Sequence, residues 1–255
     1  MRRPDSRIRL AITGVGIICS IGRSREEVWN SILAGADGIR PLASFPDETF
    51  PTTLAAEVGG SLGGATPASR RERRRFSRSD SLAVIAAIEA LQHAQSSGAA
   101  LDLQETIVST GTSTGGLLEG EDYYFRRRVR GRRRTPASRV LQQPTSGPSD
   151  AVARVLGLGG GVFSNATACA SGGAAIGLAA DLIRAGQASV ALAGGTDALC
   201  RLTYSGFNVL QAVDQGPCRP FDASRAGITL GEGAAYLVIE RWDDAIGRGA
   251  EILAE

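Results

Sequence analysis

Several groups of side chains in this 255-residue sequence have types and spacing that could do chemistry. The first is Cys169, in Asn165-Ala-Thr-Ala-Cys169-Ala-Ser-Gly-Gly173, where a short strand-like run passes into a helix of small residues. A cysteine at a helix N-terminus faces unpaired N–H groups and the positive end of the helix dipole, which favour a thiolate. The same N–H groups can hold the oxyanion formed when a thioester is attacked. A buried structural cysteine fits this position equally well. The second is Ser113 in Gly111-Thr-Ser113-Thr-Gly115, a match to the G-x-S-x-G elbow of serine hydrolases. That chemistry needs an Asp and then a His downstream, and the only histidine, His93, lies upstream. His93 reads as a surface or packing residue.

The third group is basic: Arg70, Arg71, Arg73, Arg74 and Arg75, then the run from Arg126 to Arg134. Nucleic acid is one reading of such runs. Few aromatics interleave with them and no nucleic-acid motif accompanies them, so solvated charge is the simpler account. Asp222, Arg225 and Glu232 sit beside core strands and read as structural ion pairs. Cys19, Cys200 and Cys218 read as small buried residues.

The elements that must position these groups follow from apolar runs and caps. Strands are expected at 9–13, ending in Gly14-Val-Gly16, and at 105–110, 161–166, 188–193 (ending in Gly194-Gly195) and 234–240. A helix begins at Ser24, with Glu27 placed for a capping box and Gly35 as its stop. Residues 80–95 form an amphipathic helix capped by Asp80. Shorter helices are expected at 149–156 and from 242, and 251–255 starts another strand. Residues 170–185 form a helix so small-sided that it should be buried. Residues 36–69 are an excursion from the core, and 118–146 are polar and of mixed character. Strands alternating with helices imply an α/β fold, a mostly parallel sheet with helices on both faces.

Composition narrows the chemistry. There is no lysine, and all 28 basic residues are arginine. This removes P-loop, Schiff-base and pyridoxal-phosphate chemistry. Hydrophobic residues make up 43% and charged residues 21%, a globular balance. The basic N-terminus lacks the apolar core of a signal peptide. No run approaches the roughly 18 apolar residues of a membrane span. The four cysteines show no metal-ligand spacing, so a reduced, cytoplasmic compartment is expected.

These motifs together resemble the β-ketoacyl-acyl-carrier-protein synthases, the ketosynthases of fatty-acid and polyketide synthesis. Thr167-Ala-Cys-Ala-Ser-Gly172 is similar to their nucleophile motif. Arg219-Pro-Phe-Asp222 with Gly231-Glu-Gly-Ala234, Gly111-Thr-Ser-Thr-Gly-Gly116 and Ala193-Gly-Gly-Thr196 are similar to three more. Thiolases share such a nucleophile motif, but the Arg219 and Gly231 motifs point to the ketosynthase branch. Ala226 departs from the pattern, which usually has an acid after Arg225, and puts a local ion pair in doubt.

The resemblance implies the N-terminal half of a thiolase-like fold over residues 1–255, with a five-stranded sheet. It implies that Cys169 takes the acyl group from a carrier-protein thioester, and that malonyl-carrier protein loses carbon dioxide and attacks it. It places the acyl pocket at Thr112, Thr114 and Gly115. It assigns carrier-protein docking to Arg71, Arg74, Arg75, Arg133, Arg134 and Arg219. It implies a homodimer through residues 163–166, no cofactor, no metal, no nucleic acid and no membrane. The family's two catalytic histidines come from a second half, which this chain lacks, so an excerpt or one part of a split enzyme is expected. Such a half should expose an apolar patch. Two other readings stay open: a non-catalytic half that binds carrier protein or dimerises, and a serine hydrolase using Ser113.

Overall fold

The computed structural model describes residues 8–46, 49–63, 66–130 and 137–255. In chain order its elements are β1 (Leu10–Cys19), α1 (Arg25–Leu33), β2 (Arg40–Pro41), β3 (Leu54–Ala55), α2 (Arg70–Arg73) and α3 (Arg78–Ala94). Then come β4 (Thr106–Gly111), α4 (Leu117–Arg130), a 3-10 turn (Ala137–Gln142), α5 (Gly147–Leu156) and β5 (Val162–Asn165). A second 3-10 turn (Ala168–Ala170) leads into α6 (Ser171–Arg184), followed by β6 (Val190–Asp197), α7 (Arg201–Val209), β7 (Gly233–Arg241) and α8 (Trp242–Gly247).

Five strands form one sheet in the order β1-β7-β6-β4-β5, and β2 pairs with β3 alone. The expectation of a mostly parallel sheet is corrected. β4 is parallel to both β5 and β6, whereas β7 is antiparallel to both β6 and β1. Helical crossovers keep β4, β5 and β6 aligned, as the alternating pattern implies. After β6, α7 and a long loop bring the chain back to the same end of the sheet, where Gly233 pairs with Asp197. β7 therefore runs backwards between β6 and β1, and half the pairings are antiparallel.

Helices cover both faces. On one face α3 and α5 pack over Ile18, Val108, Leu192, Tyr236 and Val238. On the other, α6 packs over Ile107, Ala191, Ala193 and Ile239. Alternate residues of each strand go to opposite faces, the two-residue period of a strand. A fully buried Leu or Val contributes about 1.5–3 kcal/mol relative to exposure, so the α3 face, with Leu82 and Val84 at 0% exposure, carries much of the stability.

Several boundaries differ from the sequence reading. β1 does not stop before Gly14, and β6 does not stop at Gly194. A Cβ at Gly14 or Gly16 would overlap the carbonyl of Ala90 or Ala86, and one at Gly194 would overlap the Ala235 carbonyl. These glycines permit close backbone approach inside the sandwich and do not make turns. The cap of α3 is Ser77, not Asp80. Asp80 is the third residue of a reciprocal capping box, accepting from Ser77 N–H at 2.8 Å. Ser24 caps α1, but Glu27 accepts from Arg23 N–H at 2.7 Å, one residue before the cap. α6 is buried on one side only; Gly173, Ala174, Gly177 and Asp181 face outward and are exposed. Residues 251–255 make a single bridge, Ala254 with Ile12. Exposed apolar side chains lie on α1 (Trp29, Ile32, Leu33), on and just after α7 (Leu202, Val209, Leu210) and at Phe221 in the loop before β7.

α4 has no counterpart in the sequence reading because its inward face is acidic. Glu119 accepts from Arg78 N–H at 2.8 Å, at the start of α3. Glu121 accepts from the N–H groups of Arg201 (2.9 Å) and Leu202 (2.7 Å), at the start of α7. α4 is thus docked by capping two other helices, which leaves no apolar period to read.

Candidate active site

β4 and β5 end level, with Gly111 opposite both Asn165 and Gly195, and β6 runs two residues further to Asp197. The N-terminus of α6 sits directly on this edge. A Cβ at Gly111 would overlap the Ser171 carbonyl, and one at Gly195 would lie 3.0 Å from Gly172 Cα. No side chain fits between helix and sheet, so the turn before α6 is held at the strand ends, where open α/β sheets place ligands.

Cys169 lies in that turn and is exposed. The preceding residue, Ala168, has φ 53°, left-handed backbone that costs a non-glycine residue about 1–3 kcal/mol. Ser171 holds it there: its hydroxyl accepts from Thr167 N–H at 2.9 Å and donates to the Ala168 carbonyl at 2.6 Å. Asn165, with its amide turned to pair donor with acceptor, bridges the Ser171 carbonyl (3.0 Å) and Ala175 N–H (3.2 Å). Cys169 lies in the turn that runs directly into α6, and a helix start leaves first-turn N–H groups without helical partners, a setting suited to an attacking sulfur and a developing oxyanion.

An open cavity of about 350 Å3 adjoins the thiol. Its walls include Cys169, Gly111, Ser113, Asp197, Cys19 and Ala235. Cys19 therefore faces the cleft and is only half buried, against the expectation of a core residue. Cys200 is buried, and burial raises its thiol pKa. Cys218 is half buried.

Thr112, Thr114 and Gly115 are not among the residues lining this cavity. Thr112 is fully buried. Thr112 and Thr114 donate their hydroxyls to Asp197 Oδ1 at 2.8 and 2.9 Å, and Gly115 N–H donates to Thr112 Oγ1 at 2.9 Å. Ser113 does line the cavity, but no imidazole stands beside it. His93 is engaged at the β1 edge, where Nδ1 accepts from Val15 N–H at 3.2 Å and Nε2 lies 2.7 Å from Arg25 Nη1. Burial first, then the Arg25 charge, lowers the His93 pKa. Serine hydrolysis thus lacks its base among the described residues.

The basic groups separate. Arg71, Arg74 and Arg75 are exposed on and just after α2. The Arg74 carbonyl accepts from Gln142 at 3.2 Å, which ties the end of α2 to the 3-10 turn preceding α5. Arg133 and Arg134 lie outside the described residues. Arg219 is half exposed, donates to Ser224 at 2.7 and 3.0 Å, and lies 3.8 Å from Asp214. Glu232 is a structural ion-pair partner, accepting from Arg78 Nε at 2.8 Å and from Val58 N–H at 2.8 Å. Among the described residues Asp222 and Arg225 form no ion pair. Asp222 accepts from Ser224, and Arg225 donates to the Asp222 carbonyl at 3.0 Å.

Sequence reasoning does not single out Asp197 or Ser171. The available signals are an acid closing the Gly194-Gly195-Thr196 run and a hydroxyl two residues after the cysteine. Among the described residues no group of His, Cys, Asp and Glu is arranged to hold a metal ion, and no helix is long and apolar enough to cross a membrane.

The family model described as Beta-ketoacyl synthase, N-terminal domain matches residues 8–245. Nodulation protein E of Rhizobium meliloti (strain 1021) is 36% identical over 254 residues, covering 97% of this chain and 61% of that protein. 3-oxoacyl-[acyl-carrier-protein] synthase 2 of Staphylococcus aureus (strain MRSA252) is 32% identical over 259 residues, again 97% of this chain and 61% of that protein. The solved ishigamide ketosynthase/chain length factor superposes with a TM-score of 0.88 at 30% identity, over 97% of this chain and 62% of that one. This chain therefore spans 61% of the length of these curated relatives. The thiol on the helix turn, the mixed sheet beneath it and these matches agree, and the chain belongs to the β-ketoacyl synthase family.

Proposed function

We propose that this chain carries the acyl-accepting site of a β-ketoacyl-acyl-carrier-protein synthase. The observation behind it is the exposed Cys169 thiol on a turn clasped by Ser171 at the start of α6, facing an open cleft. Cys169 sulfur attacks the carbonyl carbon of an acyl-carrier thioester. A C–S bond forms to Cys169, the carrier's thiol leaves with a proton, and first-turn N–H groups hold the intermediate oxyanion. In the second half-reaction malonyl-carrier protein loses carbon dioxide. Its α-carbon then attacks the Cys169 thioester, and the Cys169 thiolate leaves.

That second step calls on two histidines, and the chain's one histidine is engaged at the β1 edge. We assign them to a second half that lies outside these 255 residues, in the same protein or in a partner chain. Arg71, Arg74, Arg75 and Arg219, together with Arg133 and Arg134, are the proposed docking contacts for the acidic carrier protein. Their charge mainly raises the association rate. Thr112, Thr114 and Gly115 are the proposed acyl-pocket turn, acting through Ser113, which reaches the cleft. The free edge of β5, with Val162 44% exposed, is the proposed homodimer seam. A cytoplasmic location accords with the free thiols.

The test is intact-mass analysis after incubation with an acyl-carrier thioester. An acyl adduct that disappears in Cys169→Ala supports the reading. An adduct that persists in that variant, or none in the wild type, defeats it. The second reading, a half that binds carrier protein without turnover, is favoured by the single engaged histidine. It predicts carrier binding with no acyl adduct.

A further inference from the structure

The turn between β4 and α4 has both ends fixed by backbone packing. A Cβ at Gly111 would overlap the Ser171 carbonyl, and one at Gly116 would overlap the Gln142 carbonyl. The residues between share one partner, Asp197 at the end of β6. Its Oδ1 accepts from Thr112 Oγ1 (2.8 Å), Ser113 N–H (2.9 Å), Thr114 N–H (2.9 Å) and Thr114 Oγ1 (2.9 Å). Its Oδ2 accepts from Ser113 N–H at 3.0 Å. Ser113 and Asp197 both line the cavity that holds Cys169.

We infer that Asp197 is a positioning residue that sets the shape of the cleft wall at Ser113, in the cavity that also holds Cys169, and through it the size of the acyl group accepted. The inference rests on Cys169 being the acyl acceptor. Asparagine at this position would place an amide NH2, itself a donor, on one side of this donor set, in place of an oxygen that now accepts from Ser113 N–H or from all four donors. Ser113 is the residue of this turn that forms part of the wall, and its backbone N–H is held by Asp197. Loss of the carboxylate therefore loosens the wall at Ser113 while the strand ends and the helix start stay in place. The effect reaches Cys169 as a change in which groups fit, with the thiol itself untouched.

The test compares second-order alkylation rates of Cys169 by N-methyl and N-dodecyl iodoacetamide, read by peptide mass mapping. In Asp197→Asn the dodecyl-to-methyl rate ratio is expected to rise about five-fold or more over wild type, with the methyl rate within about two-fold. Thr114→Val removes one of the four donors and is expected to fall between. It carries the test alone if Asp197→Asn does not fold. Ratios unchanged in the folded variants would overturn the inference, since a merely structural role lowers stability without changing selectivity. Acyl thioesters are run in parallel. A wild type that takes up no acyl group defeats the acyl-acceptor reading, while the alkylation ratio still decides whether Asp197 shapes the wall.

Discussion

Both faces of the sheet bring a helix close to glycines, Gly14 and Gly16 beneath α3 and Gly111 and Gly195 beneath α6, but they differ in what fills the rest of the space. On the α3 face a helix with Leu82, Val84, Ile85 and Leu91 buried fills the space with side-chain volume. On the α6 face the helix start approaches so closely that Gly111, Gly172 and Gly195 meet backbone to backbone. The outer side of α6 then stays open at Gly173, Ala174 and Gly177. Volume gives the first face stability. Close approach gives the second face position, and that is where the reactive cysteine lies. Stability and reactivity should therefore respond to different residues.

The sharpest way to break that division is a pair of substitutions. Leu82→Ala empties fully buried volume and is expected to cost about 2–5 kcal/mol in urea unfolding, with Cys169 alkylation by iodoacetamide unchanged in the folded protein. Gly111→Ala forces a Cβ onto the Ser171 carbonyl and should cost about 1–3 kcal/mol. It should also slow acyl transfer to Cys169 at least about ten-fold, because the helix start must move off the strand ends. If Leu82→Ala slowed Cys169 as much as Gly111→Ala, the two faces would not divide the work.

Two acids meet at the N-terminal end of α3, Asp80 buried in the helix and the half-buried Glu119 of α4 accepting from Arg78 N–H, and they make stability depend on pH. Burial is the main cause in both: Asp80 is pushed up to about 6 and Glu119 up to about 7. A carboxyl with a raised folded pKa holds its proton longer in the folded state. Its contribution is present at low pH and is lost as pH rises from the unfolded value near 4.5 through about 7. Wild type should lose on the order of 2 kcal/mol between pH 5 and 7.5. Glu119→Gln keeps an acceptor for Arg78 N–H without a titrating group. It should lose clearly less, retaining Asp80's share at the lower end of the window. Equal slopes in urea unfolding across that range would show that Glu119 is not the source.

The same contrast decides what is legible in the sequence. Side-chain volume leaves an apolar period, so α3, β4 and β7 are readable to within a few residues. Cys169 is readable because strand, small residues and helix follow one another directly. Close backbone approach leaves only glycines, and glycines also mark turns, so β1 and β6 read as shorter than they are. α4 escapes notice because acids docking onto helix starts carry no apolar period. The direction of β7 depends on where a long loop returns, which no local pattern records. Asp197 is hidden because its partners are mostly backbone N–H groups and threonine hydroxyls more than eighty residues away in sequence.

The smallest expected effect probes the open side of α6. Gly177 lies inside the helix, and a methyl group there would have nothing within 4 Å, so alanine meets no neighbour. Gly177→Ala should stabilise this chain by about 0.5–1 kcal/mol, the ordinary gain from replacing glycine in a helix interior. The sign carries the information. A gain that is independent of protein concentration means the face is open in the isolated chain, and the small residues there serve a body that approaches later. A loss that grows with protein concentration means a second copy already rests on this face, so that an added methyl weakens the contact. The same substitution then separates the two faces cleanly. On the α3 face a methyl at Gly16 meets the Ala86 carbonyl and must destabilise under any condition. On the α6 face the outcome depends on whether anything covers the helix.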